Sequence, residues 1–189
     1  MTDYTKRLAK FVADTSYENL PEEVVERAST VMLDTLSCAV AGSTKAPEEC
    51  AWVMQFAKAV GGNAESTIWM NGYKTSAMMA AMANATMVHT IDFDDTHLES
   101  VAHLGAGLLG TVLSLGEKVH ATGKEVLTAF VVGFEVAARV GNSVNKGAVH
   151  LHYKYWHPTA TCGTIGCAAA AAKLMKLDAE DVEMAIGLG

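Results

Sequence analysis

The chain has 189 residues, half of them hydrophobic, enough for one domain with a real core. Its formal net charge is −7, and no basic stretch stands out. That balance argues against nucleic acid or an anionic membrane as the main partner, and leaves a small-molecule substrate open. The N-terminus has no apolar signal core, and the apolar segments read as too short or too interrupted to span a bilayer. Cys38, Cys50, Cys162 and Cys167 form no CxxC pair, so a zinc or iron–sulfur framework is not expected. Free thiols fit a reducing compartment, and the expected location is cytoplasmic.

Residues 3–14 alternate in helical period, with Leu8, Phe11 and Val12 on one side. Pro21 opens a second helix, with Glu22 and Glu23 where acids suit the dipole. Its apolar periodicity predicts a run to about Gly42. A third helix is expected over 47–60, from Pro47 to the Gly61-Gly62 break. Residues 66–70 are the one β-like run, ending at the Asn71-Gly72 turn signal.

Residues 76–88 are almost wholly Ala and Met and read as a buried helix. Residues 104–120 are apolar, Gly-rich and helical in pattern. Thr122 with Glu125 three residues on is a capping box, predicting a helix to Val140 that Gly141 ends. Glu135 and Arg139 pair at i,i+4 within it. Residues 142–156 read as a polar, aromatic link holding Lys146, His150, His152, Lys154 and Trp156. His157-Pro158 opens a helix dense in Gly, Ala and Thr, whose small residues permit close approach and a central place. Asp178 starts a last helix still apolar at Ile186 and Leu188. The expected fold is all-α, one helical domain over 1–189. Its apolar last helix predicts a domain incomplete at the C-terminal end, or one completed by a second polypeptide.

Chemistry concentrates in residues 89–103. Asp92, Asp94, Asp95, His89, His97, His103 and Thr96 crowd the exit of the Ala/Met helix, where the dipole disfavours acids. One reading is structural: Asp94 or Asp95 caps the next helix, with Thr96 in a turn. It does not account for three acids beside three histidines. A metal site is the second reading, but His97 and Asp92 fit no specific ligand spacing such as HExxH. The third is acid/base chemistry around a carboxylate substrate, with histidines titrating near neutrality and a partly buried aspartate raised towards it.

His157 is the second candidate. It either packs on Trp156 or stands at the positive end of a helix whose N–H groups, with Thr159 or Thr161, bind a carboxylate. His150 and His152 read as a solvated loop rather than as ligands. The methionines read as core, and Cys162 has no assignable base.

Four stretches together resemble the MmgE/PrpD family: Leu33 to Gly42, His89 to His103, Gly133 to Arg139, and His157 to Gly166 with its alanine run. The likeness covers nearly the whole chain in consistent order. It implies a helical domain that normally continues beyond residue 189, joined by a smaller α+β lid, with the site between the two. It also implies site positions at Asp92, Thr96, His103 and His157. The family's histidine–proline pair appears here as His103-Leu104, and its later lysines and lid have no counterpart. No required organic cofactor or metal is implied, and a homodimer is.

The resulting expectation is a cofactor-independent lyase on a small di- or tricarboxylate, first the dehydration of 2-methylcitrate. Asp92, His103 and His157 are the expected catalytic residues; Thr96 and Thr159 are expected to bind substrate. Decarboxylation of cis-aconitate or epimerisation of iminodisuccinate is the alternative within the family. A non-catalytic dimerising or binding module, and a metal-dependent hydrolase, are the alternatives outside it.

Overall fold

The computed structural model describes residues 3–144 and 154–189. Helix α1 (Tyr4–Asp14) starts where the Asp3 carboxylate accepts the Lys6 N–H at 3.2 Å. Helix α2 (Glu22–Lys45) follows Pro21, and α3 (Pro47–Val60) stops at Gly61 as expected. Gly42 does not end α2. It lies inside the helix, and a Cβ there would run into the Met87 carbonyl of the facing helix. The glycine lets two backbones approach, a role its sequence position alone does not separate from a stop signal.

Strands β1 (Ser66–Thr67) and β2 (Lys74–Thr75) pair antiparallel, Ser66 opposite Thr75, around the Asn71-Gly72 turn. Helix α4 (Ala77–His89) is capped by the Ser76 hydroxyl, which accepts the Met79 N–H at 3.4 Å. Asn84, which with Thr86 interrupts the apolar run of this helix, is fully buried. Its Oδ1 accepts the Trp69 N–H at 2.9 Å and its Nδ2 donates to the Thr67 carbonyl at 3.0 Å, tying the hairpin to α4. Asn84→Leu leaves both backbone groups without a partner. The expected loss is about 1–3 kcal/mol for each, read as a lowered urea midpoint; an unchanged midpoint would show the pairs to be energetically idle.

Helix α5 (Gly105–Val119) runs back along α4 and ends at His120, in the left-handed conformation. In the capping box Thr122 N–H donates to Glu125 Oε2 at 2.8 Å and Glu125 N–H to Thr122 Oγ1 at 3.3 Å, opening α6 (Gly123–Val144). The helix passes through Gly141, whose missing Cβ makes room for Ser100, so that residue too is a close approach and not an end. By length and hydropathy α6 is long and apolar enough to cross a membrane, contrary to the sequence expectation. Here it is a core helix: Phe130, Val132, Val136 and Ala137 are buried against its neighbours.

Helix α7 (Pro158–Leu174) packs on α5, α6 and α8 (Ala179–Leu188), and is central as its small residues imply. Asp178 caps α8, accepting the Glu180 and Asp181 N–H groups at 3.0 Å each. Val182 and Ile186 bury that helix among residues of α1, α6 and α7, while Leu188 is exposed. Residues 145–153, with Lys146, His150 and His152, lie outside the described residues. The architecture is all-α, and the two-residue strands are the only sheet among the described residues.

Candidate functional site

The site is assembled where three helix ends meet. Helix α4 delivers His89 at its last position. The loop 90–104 carries the acidic segment, with Asp92 in the left-handed region at φ 50° and its N–H donated to the His89 carbonyl at 3.0 Å. A short bridge between His97 and Ala102 folds the loop back on itself. Helix α7 brings its start, with His157 as the flanking residue and Thr159 in the first turn.

The sequence-predicted residues come together. The Thr159 hydroxyl accepts the His103 main-chain N–H at 2.9 Å, linking loop to helix. Thr96 Oγ1 lies 3.4 Å from His103 Nδ1, and Asp92 Oδ1 lies 3.7 Å from His103 Nε2. His157 makes its ring contact with His89, centroids 6.3 Å apart, and not with Trp156. The Thr161 hydroxyl turns back to the His157 carbonyl at 3.0 Å and so serves the helix.

Two members of the cluster carry more than the sequence reading gave them. Asp94 has a fully buried side chain and lies 2.9 Å from His89 Nδ1 and 3.6 Å from His103 Nδ1. His89 and His103 have their ring centroids 5.1 Å apart. The signal was the position of His89, the only basic side chain in the last turn of an apolar helix, facing three acids across a tight turn.

Hydrogen-bond partners assign the tautomers. An ionised carboxylate only accepts, so His89 Nδ1 carries the proton it shares with Asp94. His103 Nδ1 faces acceptors: the Asp95 carbonyl at 3.0 Å and the Asp94 carbonyl at 3.4 Å. It too is an N–H donor, which leaves Nε2, on the Asp92 side, for chemistry. The Asp94 hydrogen bond holds the His89 pKa above the usual imidazole value, against the lowering effect of burial. Burial raises the Asp95 carboxyl, against the lowering effect of the Gly105 N–H.

Asp95 fulfils the structural reading, since its Oδ1 accepts the Gly105 N–H at 2.8 Å and caps α5. His97 is likewise structural, with Nδ1 2.9 Å from the Ser100 hydroxyl and its ring edge-on to Phe134. His89, Asp92, Asp94 and His103 place one donor atom each within 4.8 Å of the others, a spacing a divalent ion could span. The oxygens around both Nδ1 atoms favour protons there, so the arrangement reads as a hydrogen-bonded proton network and not as a cage of lone pairs.

An all-α domain with a histidine–carboxylate cluster at the mouth of an alanine-rich helix defines the class. The chain belongs to the MmgE/PrpD family: the MmgE/PrpD N-terminal domain matches residues 6–189. It is similar to the cis-aconitate decarboxylase-like protein oryM of Aspergillus oryzae, 29% identical over 97% of this chain and 39% of that protein. Similarity to cis-aconitate decarboxylase of Homo sapiens is 28% over 97% of this chain and 38% of the relative. For the Mus musculus protein of that name the figures are 30%, 92% and 36%. The chain therefore spans under two-fifths of the length of these relatives.

Proposed function

We propose that this chain carries the proton-transfer part of a lyase acting on a small di- or tricarboxylate without a resident cofactor. Cis-aconitate decarboxylation is the reaction the relatives favour, since those named above carry that name. Dehydration of 2-methylcitrate is the second reading, because both reactions pass through a carboxylate-stabilised carbanion. The observation that carries the proposal is the meeting of His103, Asp92 and Thr96 with the start of α7 on one face.

Decarboxylation breaks the bond between the methylene carbon and its carboxyl group. CO2 leaves, and the electron pair spreads over the allylic system into the neighbouring carboxylate. The far carbon then takes a proton, and the pair ends as a C–H bond. His103 in its imidazolium form is the donor in this reading: Nδ1 is fixed by the loop carbonyls and Nε2 is free to deliver. Asp92 Oδ1 stands 3.7 Å from Nε2, on the edge from which the proton leaves. The Thr159 oxygen accepts from His103, so its hydroxyl hydrogen is left for a substrate carboxylate. The first N–H groups of α7 add to that anion site, with His157 at its edge. Thr96 is the second hydroxyl within reach.

The test is a substrate panel: CO2 release from cis-aconitate, double-bond formation with 2-methylcitrate and citrate, and inversion of a stereocentre in iminodisuccinate. CO2 from cis-aconitate, reduced at least tenfold by His157→Asn, is the expected result. Water loss from 2-methylcitrate alone would move the assignment to the second reading. No turnover of any of the four would overturn the lyase.

A further inference from the structure

The site has a charge problem. Its loop carries four carboxylates, three of them (Asp92, Asp94 and Asp95) beside the histidines, and the substrate class proposed above is itself an anion. Among the described residues no lysine or arginine forms an ion pair with Asp92, Asp94 or Asp95; their charged partners are histidines. Asp94 makes the problem sharper. Its side chain has no exposure, and its Oδ2 is buried without a hydrogen-bond partner. A carboxylate so placed needs a cation in contact, since removing it from water costs far more than a neutral hydrogen bond returns. The closest ionisable neighbour is His89, at 2.9 Å.

We propose that His89, held as an imidazolium by Asp94, is a carboxylate-binding cation of this site. The inference rests on the lyase reading for its ligand class. Nδ1 is turned inward to Asp94, so Nε2 on the opposite edge of the ring is the atom left for a ligand. The His89 side chain is about one-third exposed (32%), and its ring stands 5.1 Å from that of His103 and 6.3 Å from that of His157. An anion seated between the loop and the start of α7 meets a charge-assisted N–H donor there. The pairing also divides the labour of the three rings: one is held charged, which leaves His103 free to cycle its proton.

The groups facing His89 are Asp94, Asp92, Asp95 and His103 from the loop, and His157 from α7. The three acids favour its charged form. Its pKa is raised, so the cation is fully present below the ordinary imidazole value and is lost as pH climbs through the raised one. Anion affinity follows the same course, falling towards about tenfold per pH unit once the neutral ring dominates.

The probe is propane-1,2,3-tricarboxylate, which has no double bond to support decarboxylation. Calorimetric titration from pH 6 to 9, with a chelator present, measures its affinity for the wild type and for His89→Gln. The expected result is a loss of about 10–100-fold at pH 6 in the variant, with the wild-type pH dependence flattened. In parallel, 15N shifts of the His89 ring report its charge directly, and Asp94→Asn lowers the pH at which that charge is lost. An unchanged affinity and pH profile in His89→Gln, at equal melting temperature, overturns the proposal. So does a neutral His89 ring at a pH where the ligand binds tightly. Turnover of cis-aconitate with either result sinks this inference alone; a wild type that neither binds the probe nor turns over any substrate sinks the lyase reading with it.

Discussion

Replacement of His103 by asparagine lowers kcat for cis-aconitate by about 10²–10⁴-fold, the range lost with a positioned general acid or base. Asparagine keeps the main-chain N–H that Thr159 accepts, and its amide can still donate to the Asp95 carbonyl that Nδ1 meets at 3.0 Å. What it cannot do is carry a proton on the Asp92 side and release it. The side chain of His103 is about a quarter exposed (24%), so the fold should tolerate the change with a melting temperature close to the wild type. KM should move far less than kcat, because the anion contacts assigned to Thr159 and α7 remain. Steady-state kinetics beside a melting curve separate the two effects. Activity within about threefold of wild type, with the fold intact, would remove His103 from the proton path.

The sequence made the periodic part of the fold legible and the packed part much less so. The start of α3 at Pro47, the Ser76 and Asp178 caps and the Thr122–Glu125 box follow local rules, and local hydrogen bonds carry them. Gly42 and Gly141 look like stops in the sequence because a helix end and a close backbone approach call for the same residue. Only the partner across the helix, Met87 or Ser100, distinguishes a stop from a close approach. The same holds in the acidic loop. Its composition marked a site, but three aspartates in four residues looked alike. Burial separates them: Asp95 turns to cap α5, Asp94 turns inward to two histidines, and Asp92 stays in solvent against His103 Nε2. Those directions depend on where α5 and α7 lie, which no spacing within residues 89–103 encodes.

A leucine at Gly166 should cost about 3 kcal/mol, the upper end of the range for overpacking a well-filled contact, and should disturb the site from a distance. Helices α6 and α7 cross with Gly133 and Gly166 facing each other. A Cβ on Gly166 would stand 2.7 Å from the Gly133 carbonyl and 2.7 Å from Ala137 Cβ; one on Gly133 would stand 2.8 Å from the Gly166 carbonyl. Backbone atoms cannot rotate aside, so the helices must separate. Helix α7 carries Thr159 and His157 at its start, and the 2.9 Å hydrogen bond from His103 to Thr159 is one tie between that start and the loop. Separation therefore lengthens the tie and spoils the anion site, and KM should rise even at temperatures where the variant remains folded. Gly163 on the same helix is the matched control, since a Cβ there meets nothing within 4 Å. Leucine at that position should stabilise the helix by about 0.5–1 kcal/mol through propensity alone. Urea unfolding of the two variants gives the opposite signs directly. Equal effects at the two glycines would mean that the α6–α7 crossing has slack, and that the small-residue face of α7 does not set the place of Thr159.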